Sequence, residues 1–368
     1  MEKKDIEKSI LDLDKEIKKI DAKKSKFMFY VIDTKGTPSG SLWYIYSIAH
    51  KISRMGYIVE MLHNENDFVG VKDWMGEEYA NLPHFNIEKN NIDVSPSDIL
   101  FIPELYSQVM FKTKGLPCKR VVILQNFNFL TEIIPYGTTW EDYGIRECIA
   151  NTEFLSNRIK EVFPNTITHI VRPAIRNCFK ETEEPKKLII NYVSRTKTAD
   201  SIIKPFMWKY PMLKWISFRN LGNLTQEEMA KHLQESVATI WVDDNTNFGY
   251  SALESMATGN IVIGKVPQDT PEWSVKEGEL KDNALWFYND YDAAKVIAGF
   301  AEAYLNNGIP VSVYDDMKQT IEPYTEQKQE EDIRIQIIEG ILAQRKKELE
   351  IAKVALENHK NSKKKLDR

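Results

Sequence analysis

Residues 241–264 read WVDDNTNFGYSALESMATGNIVIG. An apolar strand ends at Trp241, a polar run through Asn-Thr-Asn-Phe-Gly leads into a short helix, and Thr258-Gly259 turns the chain into a second strand. Strand, helix and strand in this order form a crossover unit, and crossover units build parallel sheets. The helix start is informative in itself. Asn247 reads as an N-cap, with Phe248, Gly249 and Tyr250 supplying the first-turn amides, and such amides together with the helix dipole form a seat for an anion. Gly249 would let a phosphate approach without a β-carbon in the way. Glu254, one to two turns on, can accept two hydroxyl hydrogen bonds from a ribose; an ordinary solvated helix acid is the plainer reading of a single glutamate. The small-residue face SALESMATG (251–259) would let the helix pack tightly beside a ligand.

Working outward, the same rhythm covers nearly 300 residues. FMFYVID (27–33) precedes a helix over about 41–55 that Gly56 ends, and YIVEML (57–62), DILFIPE (98–104), RVVILQN (120–126) and ECIANT (147–152) follow at crossover intervals. A second series opens after the charged stretch CFKETEEPKK (178–187): LIINYVSR, LKWISFRN, ATIWVDD, NIVIGKV and LWFYND. The spacing predicts an α/β protein with two Rossmann-like domains facing a cleft. The expected division is an N-terminal amphipathic helix over 1–24, a first domain over 25–180, a second over 185–305, and a return segment with a helical tail over 306–368.

Composition narrows the function classes. The 368 residues exceed one ordinary core, and no apolar run reaches the length of a membrane span. The charged N-terminus MEKKDIEKSILDLDKEIKKI lacks the apolar centre of a secretory signal, which points to the cytoplasm. Cys118, Cys148 and Cys178 stand thirty residues apart, without zinc-like spacing, and read as reduced core thiols. The net charge is −5, and apart from KNSKKKLDR at the end lysine is interspersed with acids, so charge does not indicate nucleic acid as an obligate partner.

Ligands of such sheets bind at the carboxyl ends of strands. The loops there are DTKGTPSGS (33–41), LQNFN (124–128), VSRTKT (193–198) and DDNTNFG (243–249). Gly36 and Gly40 permit close backbone approach, but their spacing is not the dinucleotide-binding GxGxxG. Arg195 and Lys197 suit a diphosphate, one as a planar fork and one as a point charge, and read equally as solvated loop charge.

FGYSALESMATGNIVIG (248–264) resembles the FGLPLLEAMACGTPVI signature of retaining glycosyltransferases with the GT-B fold, the large fourth family that includes sucrose synthase and many bacterial sugar transferases. Further pieces follow in the family's order. SGSLWYIYSIAHKISRMGYIVEML (39–62) resembles its first loop and helix, CIANTEFLSNRI (148–159) and IVRPAIRNCF (170–179) the segments closing its N-terminal domain, VSRTKTAD (193–200) its phosphate loop, and WISFRNLGNLTQEEMAKHLQES (215–236) its base-facing segment. The match spans roughly 27–305.

The resemblance implies a nucleotide-diphosphate sugar as substrate, no cofactor and no metal, with the leaving diphosphate itself taking the acceptor proton. It implies that Glu254 holds the donor ribose, that Arg195 and Lys197 bind the diphosphate and carry the main catalytic charge, and that backbone at Phe248, Gly249 and Tyr250 faces phosphate and sugar. Gly40 would approach from the opposite domain, and FRNLG (218–222), with Asn220 and Leu221, would line the base. Two departures stand out. The family's second glutamate, eight positions before the first, is Thr246 here, so either a smaller or differently oriented sugar is used or sugar contact shifts to Asn247 and to main-chain amides near Gly249. The histidine near the reacting sugar is replaced by Gln125 and Asn126, which can hydrogen-bond hydroxyls but cannot act as a base.

The chain ends carry apolar seams at spacings of three and four: Ile6, Ile10, Leu13, Ile17 and Ile20, and again Ile338, Leu342, Arg345, Leu349, Ala352 and Leu356. Each must pack on the other terminus, on the body or on a second copy as a homo-oligomer. Three functions follow as expectations: a glycosyltransferase moving a sugar to a hydroxyl acceptor (glycan, lipid-linked sugar, protein or modified DNA base), a glycosyltransferase-like binding or structural protein without turnover, and a phage-type enzyme acting on modified bases in DNA.

Overall fold

The computed structural model describes residues 3–193, 198–222, 224–243, 248–267 and 270–366. Two parallel sheets organise them. In the first, β1 (Lys26–Tyr30), β2 (Ile58–His63), β3 (His84–Asn86), β4 (Ile99–Pro103), β5 (Lys119–Leu124), β6 (Glu147–Ala150) and β7 (Ile167–Ile170) lie in the spatial order 3-2-1-4-5-6-7. The second holds β8 (Lys187–Tyr192), β9 (Ser217–Asn220), β10 (Ser236–Trp241) and β11 (Ile261–Lys265); after a small hairpin of β12 (Val275–Lys276) and β13 (Glu279–Leu280) comes its last strand, β14 (Leu285–Phe287), and the order is 14-11-10-8-9. Both sheets are parallel throughout. Every residue of β4 and β10 is buried, because helices cover both faces, and this is why those strands read as unbroken apolar runs.

Each sheet has its own core. The helix Gly40–Arg54 packs on the first sheet and buries Trp43, Tyr44, Ile45 and Tyr46. From that helix the Trp43 indole donates to the Ala174 carbonyl (3.0 Å) and the Tyr44 hydroxyl to the Val171 carbonyl (2.6 Å), fixing the connector between domains. The second core takes in Ile175 and Phe179 before β8, and Val313, Met317 and Tyr324 near the end of the chain. Ile333, Ile337, Ile341 and Leu342 belong again to the first core. The chain therefore crosses back between Tyr324 and Ile333, within the expected return segment, and Arg172 grips Asp332 there through its amide and guanidinium, each at 3.0 Å.

The stretch that reads as a linker has a half-buried anchor. Lys186 Nζ donates among the carbonyls of Leu233, Gln234, Ser236 and Thr258, at 2.8–3.3 Å. It thus collects the carboxyl ends of the helices Gln226–Gln234 and Tyr250–Ala257, where cations are favoured.

The terminal seams meet each other. The helix Lys3–Asp21 runs antiparallel to the helix Ala343–Leu366, with ion pairs Asp21–Lys346 (2.5 Å), Asp14–Lys353 (2.8 Å) and Glu7–Lys360 (2.8 Å), and Ile6 and Ile20 are buried. The C-terminal seam is not one continuous heptad pattern, because Ile333–Leu342 form π-helical turns that reset the register before Ala343. Cys118 and Cys148 are buried and Cys178 half-buried, all as free thiols. Among the described residues no helix is long and apolar enough to cross a membrane.

Candidate active site

Beyond β10 the chain passes through 244–247, and Thr246 and Asn247 lie outside the described residues, as do Arg195 and Lys197 after β8. Gly249 is left-handed (φ 76°, ψ 58°) and caps the helix Tyr250–Ala257. A β-carbon on Gly249 would lie 2.7 Å from Cζ2 of Trp241, so the position needs glycine for its conformation and for the indole beneath it. Gly249, not Asn247, is thus the residue next to the helix. Its carbonyl already accepts from the amides of Ala252 (3.1 Å) and Leu253 (3.4 Å), which leaves the first two amides, Tyr250 and Ser251, at the open end.

Glu254 follows in the second turn. It is 8% exposed, and among the described residues its carboxyl has no hydrogen-bond donor. Burial pushes its pKa up to about 7, opposed by the Arg176 guanidinium. A buried acid without donors is uncommon in a finished core.

The first domain meets this helix end directly. A β-carbon on Gly40, the first residue of its helix, would lie 2.8 Å from Cδ2 of Tyr250. Two helix N-termini, one from each domain, therefore face each other across a single aromatic ring. The Tyr250 hydroxyl is buried and has no hydrogen-bond partner among the described residues. Arg176 ties the domains beside them: its guanidinium lies over the Trp43 ring at 5.0 Å and donates to Gln226 Oε1 (2.7 Å) and to the Met75 carbonyl (3.3 Å). Glu272 of the second domain accepts from the Phe154 amide of the first (3.1 Å).

On the first-domain rim, Gln125 and Asn126 leave the carboxyl end of β5, and Asn126 caps the helix Phe127–Ile133 by accepting from the Asn128 amide (2.9 Å). Sequence reasoning missed the residue that holds this turn. Glu104, just past β4, accepts from the amides of Gln125 (3.0 Å) and Asn126 (2.8 Å) through Oε1, while its Oε2 is buried and has no partner among the described residues. Burial raises its pKa to about 7. The side-chain amide of Asn151 donates to the Gln125 carbonyl (3.4 Å). The available signal was the lone acid closing the apolar run DILFIPE, on a strand next to the point where the strand order reverses, between β1 and β4. In the second domain Asn220 ends β9 and accepts from the Gly222 amide (2.9 Å), and the buried Leu221 donates to the Tyr192 carbonyl of β8 (2.9 Å). The structure thus brings Gly40, Gly249 and Tyr250 together with Glu254 one turn on, sets Asn220 and Leu221 beside the end of β8, and holds Gln125 and Asn126 on the first-domain rim.

No family model matches the chain. A curated alpha-1,6-glucosyltransferase from Actinobacillus pleuropneumoniae serotype 7 (strain AP76) is 24% identical over 189 residues, which are 48% of this chain and 56% of that protein. The chain spans little more than half the length of that relative. Among solved structures, Anabaena HepE in complex with UDP-glucose superposes with a TM-score of 0.60 at 11% identity, covering 84% of this chain and 98% of the other. A glycosyltransferase from Rickettsia africae ESF-5 superposes at 0.58 with 13% identity, covering 86% and 99%. The two parallel-sheet domains and the helical C-terminal region of this chain have the GT-B architecture found in glycosyltransferases.

Proposed function

We propose that the chain is a glycosyltransferase that moves a sugar from a UDP-type nucleotide donor to a hydroxyl acceptor, with retention of configuration and without a metal. The observation that carries this reading is Glu254, a buried carboxyl without a hydrogen-bond donor among the described residues, one turn into a helix whose open end faces the other domain. A ribose offers two hydroxyl donors to such a group, and charge-assisted bonds of this kind are strong. The glucosyltransferase similar in sequence supports sugar transfer, and the UDP-glucose bound to the structurally similar HepE supports the donor class.

In this reading Tyr250 and Ser251 present the helix end to the diphosphate, Arg195 and Lys197 neutralise it, and Asn220 and Leu221 line the base. Gly40 lets the first domain's helix end close against Tyr250 beside the donor site, and Thr246, Asn247 and the Gln125–Asn126 turn contact the sugar and acceptor. The bond from the anomeric carbon to the diphosphate breaks, the bond to the acceptor oxygen forms on the same face, and the acceptor proton passes to the leaving phosphate oxygen. The protein supplies position and charge stabilisation.

The test is release of nucleoside diphosphate from a panel of sugar donors, with and without hydroxyl acceptors. Release from one UDP-sugar that Glu254→Gln weakens supports the reading. Binding of nucleotide with no release or transfer from any donor assigns the chain to the binding-protein alternative.

A further inference from the structure

Between Asp200 and Glu227 the chain runs SIIKPFMWKYPMLKWISFRNLGNLTQ (201–226), with three lysines, one arginine and no acid, in a protein whose acids outnumber its basic residues 54 to 49. The middle of this stretch forms a compact corner of the second domain. The helix Thr198–Lys209 ends there, and the amides of Tyr210, Leu213 and Ile216 donate to the carbonyls of Phe206, Tyr210 and Leu213, carrying the turns onward into β9. Phe206 and Ile216 fill the core, while Trp208, Met212 and Trp215, four and three residues apart, point outward at 76%, 83% and 55% exposure.

Two exposed tryptophans beside an exposed methionine, within eight residues, are unusual on a surface that only meets water. Their charge setting is one-sided. Lys204 pairs with Asp200 and Arg219 with Glu235, but among the described residues Lys209 and Lys214 have no carboxylate partner. Indole rings settle at the boundary between headgroups and acyl chains, and unpaired lysines favour anionic headgroups beside them.

We propose that the Trp208–Trp215 corner docks the protein on an anionic lipid surface. Lys209, whose ammonium lies over the Tyr210 ring at 5.5 Å, and Lys214 stand between and beside the two indoles without a carboxylate partner among the described residues, and this charge complements negative headgroups. This reading rests on the exposed corner alone and is independent of the proposed donor site.

Flotation of the full chain with phosphatidylcholine vesicles, with and without phosphatidylglycerol, tests it. The wild type is expected to float with the anionic vesicles in low salt and to be released by high salt. Trp208→Ser combined with Trp215→Ser should weaken that binding at least about tenfold while leaving the melting temperature unchanged, since both side chains are exposed. Lys209→Glu with Lys214→Glu should also abolish it. No binding to anionic vesicles, or equal binding by wild type and the tryptophan variant, overturns the proposal. So does a self-association of the wild type that the tryptophan variant loses while vesicle binding is absent, which would make the corner a protein interface.

Discussion

Gly40 of the first domain and Tyr250 of the second are in such close contact that a single added β-carbon would fall 2.8 Å from the tyrosine ring. The ring cannot easily yield, because Phe248 stacks edge-on against it at 4.7 Å between centroids. Gly40→Ala is expected to destabilise the protein by roughly 1–3 kcal/mol, the usual effect of overpacking. In a Tyr250→Ala background the same change should cost little, a non-additivity that denaturant unfolding of the four proteins would read as a coupling between the domains.

Glu254 carries a pH signature. Its pKa rises from the ordinary 4.5 when unfolded to about 7 when folded. Between those values the folded state holds a proton that the unfolded state does not, so stability falls as pH rises through this window. The difference is on the order of 3 kcal/mol. Glu254→Gln removes the titration, so the variant should be more stable than the wild type above pH 7 and should show a flatter profile. Unfolding free energies measured from pH 5 to 8 check this.

The Glu104 turn separates hydrogen bonding from charge. Glu104→Ala leaves the Gln125 and Asn126 amides without their acceptor and should cost roughly 1–3 kcal/mol. Glu104→Gln keeps an acceptor oxygen and removes a buried ionisable group, so it should be near neutral or stabilising at pH 8. Equal losses in the two variants would mean that the carboxylate charge, not the acceptor geometry, holds the turn.

Lys186→Met should be among the more damaging single changes outside the cleft. It strips the donor from four carbonyls, those of Leu233, Gln234 and Ser236 and that of Thr258 at the end of the site helix, with a loss of at least roughly 1–3 kcal/mol for unsatisfied acceptors. Lys186→Arg is expected to recover part of it. Thermal melts of the three proteins measure the effect.

The strand rhythm of this chain was open to reading because buried parallel strands leave apolar runs of a recognisable length, and DILFIP and ATIWV coincide with fully buried strands. What pattern could not supply was anything set by three-dimensional closure. The Glu104 clamp joins residues over twenty positions apart, and Arg176 meets Trp43 across more than a hundred. Gly249 read as an open door for a phosphate, but its absent side chain is also required by Trp241, which only the folded hairpin of strand and helix brings under it. The apolar seams of the two termini were visible as periodicity, yet periodicity does not name a partner, and the complementary pairs Asp14–Lys353 and Glu7–Lys360 show that each seam's partner is the other end of the same chain.

The donor site is tested most directly by titrating UDP into the wild type and Glu254→Gln by calorimetry at pH 8, where the wild-type carboxylate is ionised. The wild type is expected to bind UDP, and the variant to bind it more weakly by roughly 1.5–3 kcal/mol, the range for hydrogen bonds to a charged group. Absence of UDP binding by the wild type, or equal affinity of the two proteins, would contradict it.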